Sequence, residues 1–210
     1  MDRTMIVNGN ASLEVAPDAV KLLMDVSIED KDISVAKDKV AFISNDLCDK
    51  LEGLGIKKDS QIKNRFQINT LNQSSVLKGG IINKEVSYRV TNTLILTIDR
   101  DDELVSEIIN IIPTEHVSLS IDYFLKDTTI ILDKVIDLAC KDAFSKAKSL
   151  AKASQIQLGE IINISYQSYG IAPRAKFEMM AYDSSSTQTI ETNPEDIIFN
   201  ENVSMTFEIK

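Results

Sequence analysis

Alternation with a period of two is the feature that most constrains this chain. Met5, Val7, Gly9, Ala11, Leu13 and Val15 occupy odd positions, and after a break at Ala16-Pro17-Asp18 the apolar set moves to even positions, Val20, Leu22, Met24, Val26 and Ile28. Side chains of a strand point alternately to opposite faces, so runs of this kind make half-buried strands of a mostly antiparallel sheet. The same period returns at Ile62, Phe66 and Ile68, and from Val86 to Ile98 after a loop holding Gly79-Gly80. It returns again at Val117/Leu119/Ile121/Tyr123, at Ile162/Ile164/Tyr166 and from Ile197 to Ile209. Turn chemistry at Ala16-Pro17-Asp18 predicts a hairpin between the first two runs.

Three segments switch to helical spacing. Ala36, Val40, Ile43, Leu47, Leu51 and Leu54 recur at steps of three and four, and Gly55 follows where a left-handed cap is wanted. The opposite face of that helix, with Lys37, Lys39, Asp46 and Lys50, is expected to be wet. A shorter helix begins at the acidic cluster Asp99-Arg100-Asp101-Asp102 and stops before Pro113. The longest runs from about Thr128 to Ser154. Its stripe includes Ala139, Ala143, Ala147 and Ala151, a narrow face that allows close approach to a sheet or another helix.

The element order is therefore ββαββαβαββ, which favours an α+β fold with helices packed on one face of mostly antiparallel sheets. Residues 19–124 carry the split βαβ order of a ferredoxin-like lobe, and residues 1–18 with 125–210 make a second lobe, so the two interlock within one 210-residue domain. From Ser168 to Asn193 no period holds. A loop of that length is usually functional or partner-bound, and its apolar patch of Phe177, Met179, Met180 and Tyr182 is the candidate partner contact.

Composition narrows the function classes. A net charge of −9 disfavours nucleic acid or anionic lipid as a partner. No uncharged apolar run approaches the roughly 18–20 residues that span a bilayer. The chain passes from Met1-Asp2-Arg3-Thr4 straight into alternation without a leader pattern, so the expectation is a cytoplasmic protein; a chain trimmed of its leader, periplasmic or secreted, would read the same. Cys48 and Cys140 are read as packed, reduced thiols.

Site chemistry is thin. His116 is the single histidine, with no cysteine near it, which argues against a zinc site, and no serine sits in a Gly-x-Ser-x-Gly setting. Gly79-Gly80 lacks the Gly-Lys-Ser/Thr ending and the following helix of a phosphate loop, so it reads as a turn. Asp101, Asp102 and Glu103 at a helix start read as cap and dipole partners. No catalytic, cofactor-binding or metal-binding residue is assigned, and no cofactor is expected.

Several short motifs together resemble the SIMPL-domain family, a domain of unknown function. Val7-Asn8-Gly9-Asn10-Ala11 followed by Pro17-Asp18-Ala19 is similar to that family's V-x-G-x-A strand and P-D-x-A turn. Leu51 to Ile56 resembles its L-x-x-x-G-I helix end, and Tyr88 to Asn92 its Y-x-x-x-N strand. Ala139 to Ala151 matches the A-x-x-D-A-x-x-K-A-x-x-L-A helix, followed by Leu158-Gly159-Glu160-Ile161, and Val203 to Phe207 resembles the closing strand. The resemblance implies a scaffold without an established catalytic set. Its bacterial members include a periplasmic immunogenic protein that forms a ring or channel-like oligomer and proteins linked to stress tolerance, and an animal member binds a kinase of innate immunity. Two departures stand out here: the absence of a leader pattern in the residues from Met1 onward, and Ser154-Gln155 where relatives often have Gly after the long helix.

The expectation is a non-enzymatic, self-associating or protein-binding module with an accessory stress role, its partner a second copy or another protein. The alternative is a small-molecule-binding protein or enzyme with a pocket between the two lobes.

Overall fold

The computed structural model describes residues 3–76, 82–113, 115–166, 175–178 and 194–210. In chain order the elements are β1 (Thr4–Val15), β2 (Ala19–Asp30), α1 (Ile33–Gly53), α2 (Lys58–Gln61), β3 (Ile62–Val76), β4 (Ile82–Asp99), α3 (Asp102–Ile111), β5 (Val117–Phe124), α4 (Thr129–Ala153), β6 (Leu158–Tyr166), β7 (Ala175–Glu178) and β8 (Ile197–Ile209). The fold is α+β, as the alternation and helical spacing imply. Two short elements escape those patterns. The single turn of α2 is too brief to show a period, and the four residues of β7 lie inside the segment read as aperiodic. Gly79-Gly80 lies outside the described residues.

The chain forms two compact units, one of Met1–Pro17, Phe124–Ala175 and Glu195–Lys210, the other of Asp18–Tyr123 and Lys176–Pro194. The second unit holds a five-stranded sheet in the order β3-β4-β2-β5-β7. Within it β4 lies between β3 and β2, and β2 between β4 and β5, which is the split βαβ arrangement of a ferredoxin-like fold. β4 pairs antiparallel with β2 through Leu22↔Leu96 and Val26↔Asn92, and with β3 through Ile62↔Leu96 and Ile68↔Val90. The even residues of β2 from Val20 to Ile28 are buried, as are Leu47 and Leu51 of α1 and Val105 and Ile108 of α3, and Lys37, Lys39, Asp46 and Lys50 on α1 are exposed as expected. Side-chain to backbone bonds fix both helix starts: Asp32 accepts from the Ser34 amide at 2.8 Å, and Asp101 from the Leu104 amide at 3.0 Å.

The first unit holds a three-stranded sheet, β1-β8-β6, with β8 antiparallel to both neighbours. This overturns the expected β1–β2 hairpin. β1 pairs with β8 through Val7↔Met205 and Leu13↔Phe199, whereas β2 pairs with β4, so Ala16-Pro17-Asp18 carries the chain from one sheet to the other. Turn residues describe a local bend and say nothing of which strand lies alongside.

α4 crosses the three-stranded sheet over β1 and β8, burying Ala139, Ala143 and Ala147 against Val7, Val203, Met205 and Phe207. Gly9 makes this seating possible. A Cβ built there would overlap the Ala139 carbonyl oxygen and stand 2.6 Å from the Ala143 nitrogen. The glycine of the opening strand is therefore a close-approach residue, and the alanine stripe is its counterpart.

α1 and α4 end in the same way. After α1, Gly55 adopts φ 85° and its amide reaches the Glu52 carbonyl at 2.9 Å, while the Ile56 amide reaches Leu51 at 3.1 Å. After α4, Gln155 adopts φ 58°, with the Ile156 amide on the Ala151 carbonyl at 3.0 Å. Both are left-handed caps of the Schellman type.

Gly9→Ala is expected to destabilise the protein by about 3 kcal/mol, because the obstacle is helix backbone. Adding Ala143→Gly should recover little, since the Ala139 carbonyl stays in place; urea unfolding of both variants checks this. Gln155→Gly is expected to stabilise by about 0.5–1 kcal/mol, the relief of a left-handed non-glycine residue less the added freedom of the unfolded chain, and to move the urea midpoint upward.

Candidate functional site

α4 is held on β1 by polar contacts beside the Gly9 gap. The Asn10 amide donates to Asp142 Oδ2 at 2.8 Å, and Lys146 Nζ donates to the same carboxylate at 2.5 Å and to the Asn8 carbonyl at 3.3 Å. β1 is the outer strand of its sheet, so Asp142 and Lys146 occupy part of the edge that would otherwise be open to another strand. The Lys146 hydrogen bond first, and the Asn10 amide second, hold the Asp142 carboxyl below its ordinary range.

The opposite edge, β6, is different. α4 barely touches it, and the ladder to β8 slips twice, between Leu158 and Ile161 and between Ile161 and Asn163. Each slip adds a residue to β6 and changes the phase of its side chains. Ile161 and Ile164 are thereby opposite Phe207 and Met205 and share the helix side of the sheet, whereas Ile162 falls at a slip. The expected alternation Ile162/Ile164/Tyr166 is corrected accordingly. Ile164 is 54% exposed and Ile161 42%, although their β8 partners are buried.

Between α4 and β6 runs an open groove of about 500 Å³ lined by Cys140, Lys141, Phe144, Ser145, Lys148, Ile161 and Met205. The Phe144 ring lies 6.0 Å from that of Phe207, tilted by 50°, and Lys148 Nζ stands 4.5 Å above the Phe144 centroid. Lys141 reaches Asp137 at 2.6 Å. Phe144 and Ile161 supply an apolar floor, and two ammonium groups on long flexible stems border it. Such a surface suits recognition of an apolar side chain flanked by acids.

Residues marked by the sequence fall elsewhere. Phe177, Met179, Met180 and Tyr182 lie outside the residues whose side chains are described. His116 sits in a left-handed turn with φ 64°, its carbonyl accepting from the Ser27 amide at 2.9 Å. Asp101 caps α3 and Asp102 pairs with Arg100 at 3.0 Å. Cys48 and Cys140 are free thiols. Cys48 is buried, which pushes its thiol up from the ordinary value, and Cys140 is half-buried at the groove. Among the described residues no three His, Cys, Asp or Glu side chains gather as a metal site, and no helix is long and apolar enough to cross a membrane. The groove residues Lys141, Phe144, Lys148 and Ile161 belong to segments that the sequence marks only as scaffold, and none is marked there as a contact. Their one signal is the doublet Ile161-Ile162, which breaks strand alternation.

The profile of the family described as SIMPL, protein of unknown function (DUF541), matches residues 5–207. The chain belongs to the SIMPL family. A curated relative, the uncharacterized protein YggE of Edwardsiella ictaluri (strain 93-146), is 26% identical over 186 residues, covering 88% of this chain and 77% of its own length. A solved structure, an uncharacterized conserved protein from Listeria innocua, aligns over 95% of this chain and 92% of its own at 10% identity with a TM-score of 0.20, too low to carry an argument. The molecular activity of the SIMPL family is not known. The Ala139 to Ala151 motif that marks this chain as SIMPL-like contains the alanines that meet Gly9 and the Asp142–Lys146 pair, so it has a structural meaning here.

Because the Asp142 carboxyl is lowered in the folded protein, its contribution is present above the ordinary carboxylate range and fades as pH falls through the folded value. Asp142→Asn is therefore expected to be less stable than the parent at neutral pH, with the difference shrinking under acid. Thermal unfolding of the two proteins across pH checks this.

Proposed function

We propose that this SIMPL protein is a non-enzymatic module that works by binding protein, foremost a second copy of itself, in an accessory role in stress tolerance. The uncovered flank of the three-stranded sheet carries the proposal. Phe144 and Ile161 line the groove, and Ile164 and Tyr166 are exposed on the same strand as Ile161, at a strand edge that has no neighbour among the described residues. Exposed apolar patches beside open edges are where soluble proteins meet partners. The polar groups of the groove are two ammonium groups, the Cys140 thiol and the Ser145 hydroxyl, with no histidine or carboxylate in the lining to act as a base for either, which supports recognition over turnover. The stress role rests on the resemblance alone, and the patch of Phe177, Met179, Met180 and Tyr182 enters as a further contact on its sequence alone.

Light scattering across a wide concentration range tests the reading. The parent is expected to grow in mass with concentration, and Ile164→Glu to remain smaller at every concentration while unfolding at a similar temperature, since Ile164 is half exposed. A parent that stays monomeric throughout overturns self-association.

A further inference from the structure

The groove between α4 and β6 asks for a protruding apolar side chain with acidic neighbours, and the same chain displays one. Phe42 on α1 is 76% exposed. It points away from the buried face of its helix, where Ala36, Val40, Ser44, Leu47 and Leu51 lie. Residues four and seven apart share a helix face, so Phe42 stands between Asp38 and Asp46 and in line with Val35 and Asp49, all exposed. The nearby cation Lys39 is engaged by Asp30 at 3.0 Å, and Lys50 by Asp46 at 2.8 Å. The outer face of α1 is thus an aromatic side chain with the carboxylates of Asp38, Asp46 and Asp49 around it, Asp46 being shared with Lys50.

The groove has the converse arrangement. Phe144 stands between Lys141 and Lys148, three residues before it and four after. At about 1.5 Å per residue the two lysines are roughly 10.5 Å apart along α4, and Asp38 and Asp46 roughly 12 Å apart along α1, a difference that long lysine stems absorb. The ion pairs Lys141–Asp137 and Asp46–Lys50 are exposed i,i+4 pairs, weakly held and free to exchange partners.

We propose that the outer face of α1 from one copy docks in the α4–β6 groove of another, with Phe42 against Phe144 and Ile161, and with Asp38 and Asp46 facing Lys141 and Lys148. The inference rests on the self-association proposed above and assigns its contact. The two patches differ, so the contact is heterologous: each copy offers a free α1 face and a free groove, and the assembly continues head to tail until it closes as a ring or runs on as a filament.

Complementary charge reversal tests it by sedimentation velocity. A groove variant carries Lys141→Glu and Lys148→Glu, and a helix variant carries Asp38→Lys and Asp46→Lys. All four positions are exposed, and circular dichroism confirms that each variant is folded. Each alone opposes like charges and is expected to associate about tenfold or more weakly than the parent. Mixed in equal amounts, the reversed groove meets the reversed helix and the two native patches meet each other, so association returns towards the parental level. Phe42→Ser, which keeps every charge, is expected to weaken association by a similar factor. Variants that associate like the parent, or a mixture no stronger than its components, overturn this contact while leaving self-association standing. A parent that is monomeric throughout overturns both.

Discussion

A helix can lie this close to a strand only where neither sends more than a methyl group into the gap, and Gly9 against Ala139 and Ala143 meets that condition. The consequences spread outward from this point. Helices are about 10 Å wide and strands about 4.8 Å apart, so one helix covers about two strands. Seated on β1, α4 extends over β8 and barely reaches β6. The buried state of Phe207 and the exposure of Ile161, its partner across the ladder, are two sides of that placement. Asp142 and Lys146 lock the same seating and occupy part of the β1 edge, while β6 is an edge of this sheet with no neighbour among the described residues.

What the sequence made legible was mostly local. Periods of two and of three to four located the long strands and helices because each has one buried face. Gly55 and Asp101 marked helix boundaries through backbone requirements that belong to single residues. Pairing was less accessible. Ala16-Pro17-Asp18 has the composition of a hairpin turn, yet β1 joins a strand from the far end of the chain, a choice that local chemistry does not encode. The groove was invisible for a related reason. Lys141, Phe144 and Lys148 look like the wet flank of an amphipathic helix, and Ile161 like a strand residue; only the seating at Gly9 and the two slips in β6 bring them to one surface.

Charge acts on two scales in this molecule. The net −9 sets a mutual repulsion between copies that is felt over distance and weakened by salt within about 10 Å at 0.1 M. Against it stand local arrangements in which acids and bases alternate with aromatic rings, such as Lys148 above Phe144. Contacts of this kind gain at short range, where the partners exclude water, so long-range charge governs how often copies meet and local charge how they orient.

The pairing of β1 with β8 also has a temporal side. The bond from the Asn202 side chain to that of Asn10 spans 192 residues. At the roughly 5–20 residues per second of ribosomal synthesis, β1 waits on the order of 10–40 s for its neighbour. During that interval β2, β3, β4 and β5 emerge, which are four of the five strands of the ferredoxin-like sheet. Until β8 is made, β1 and β6 both lack the strand that lies between them in the finished sheet.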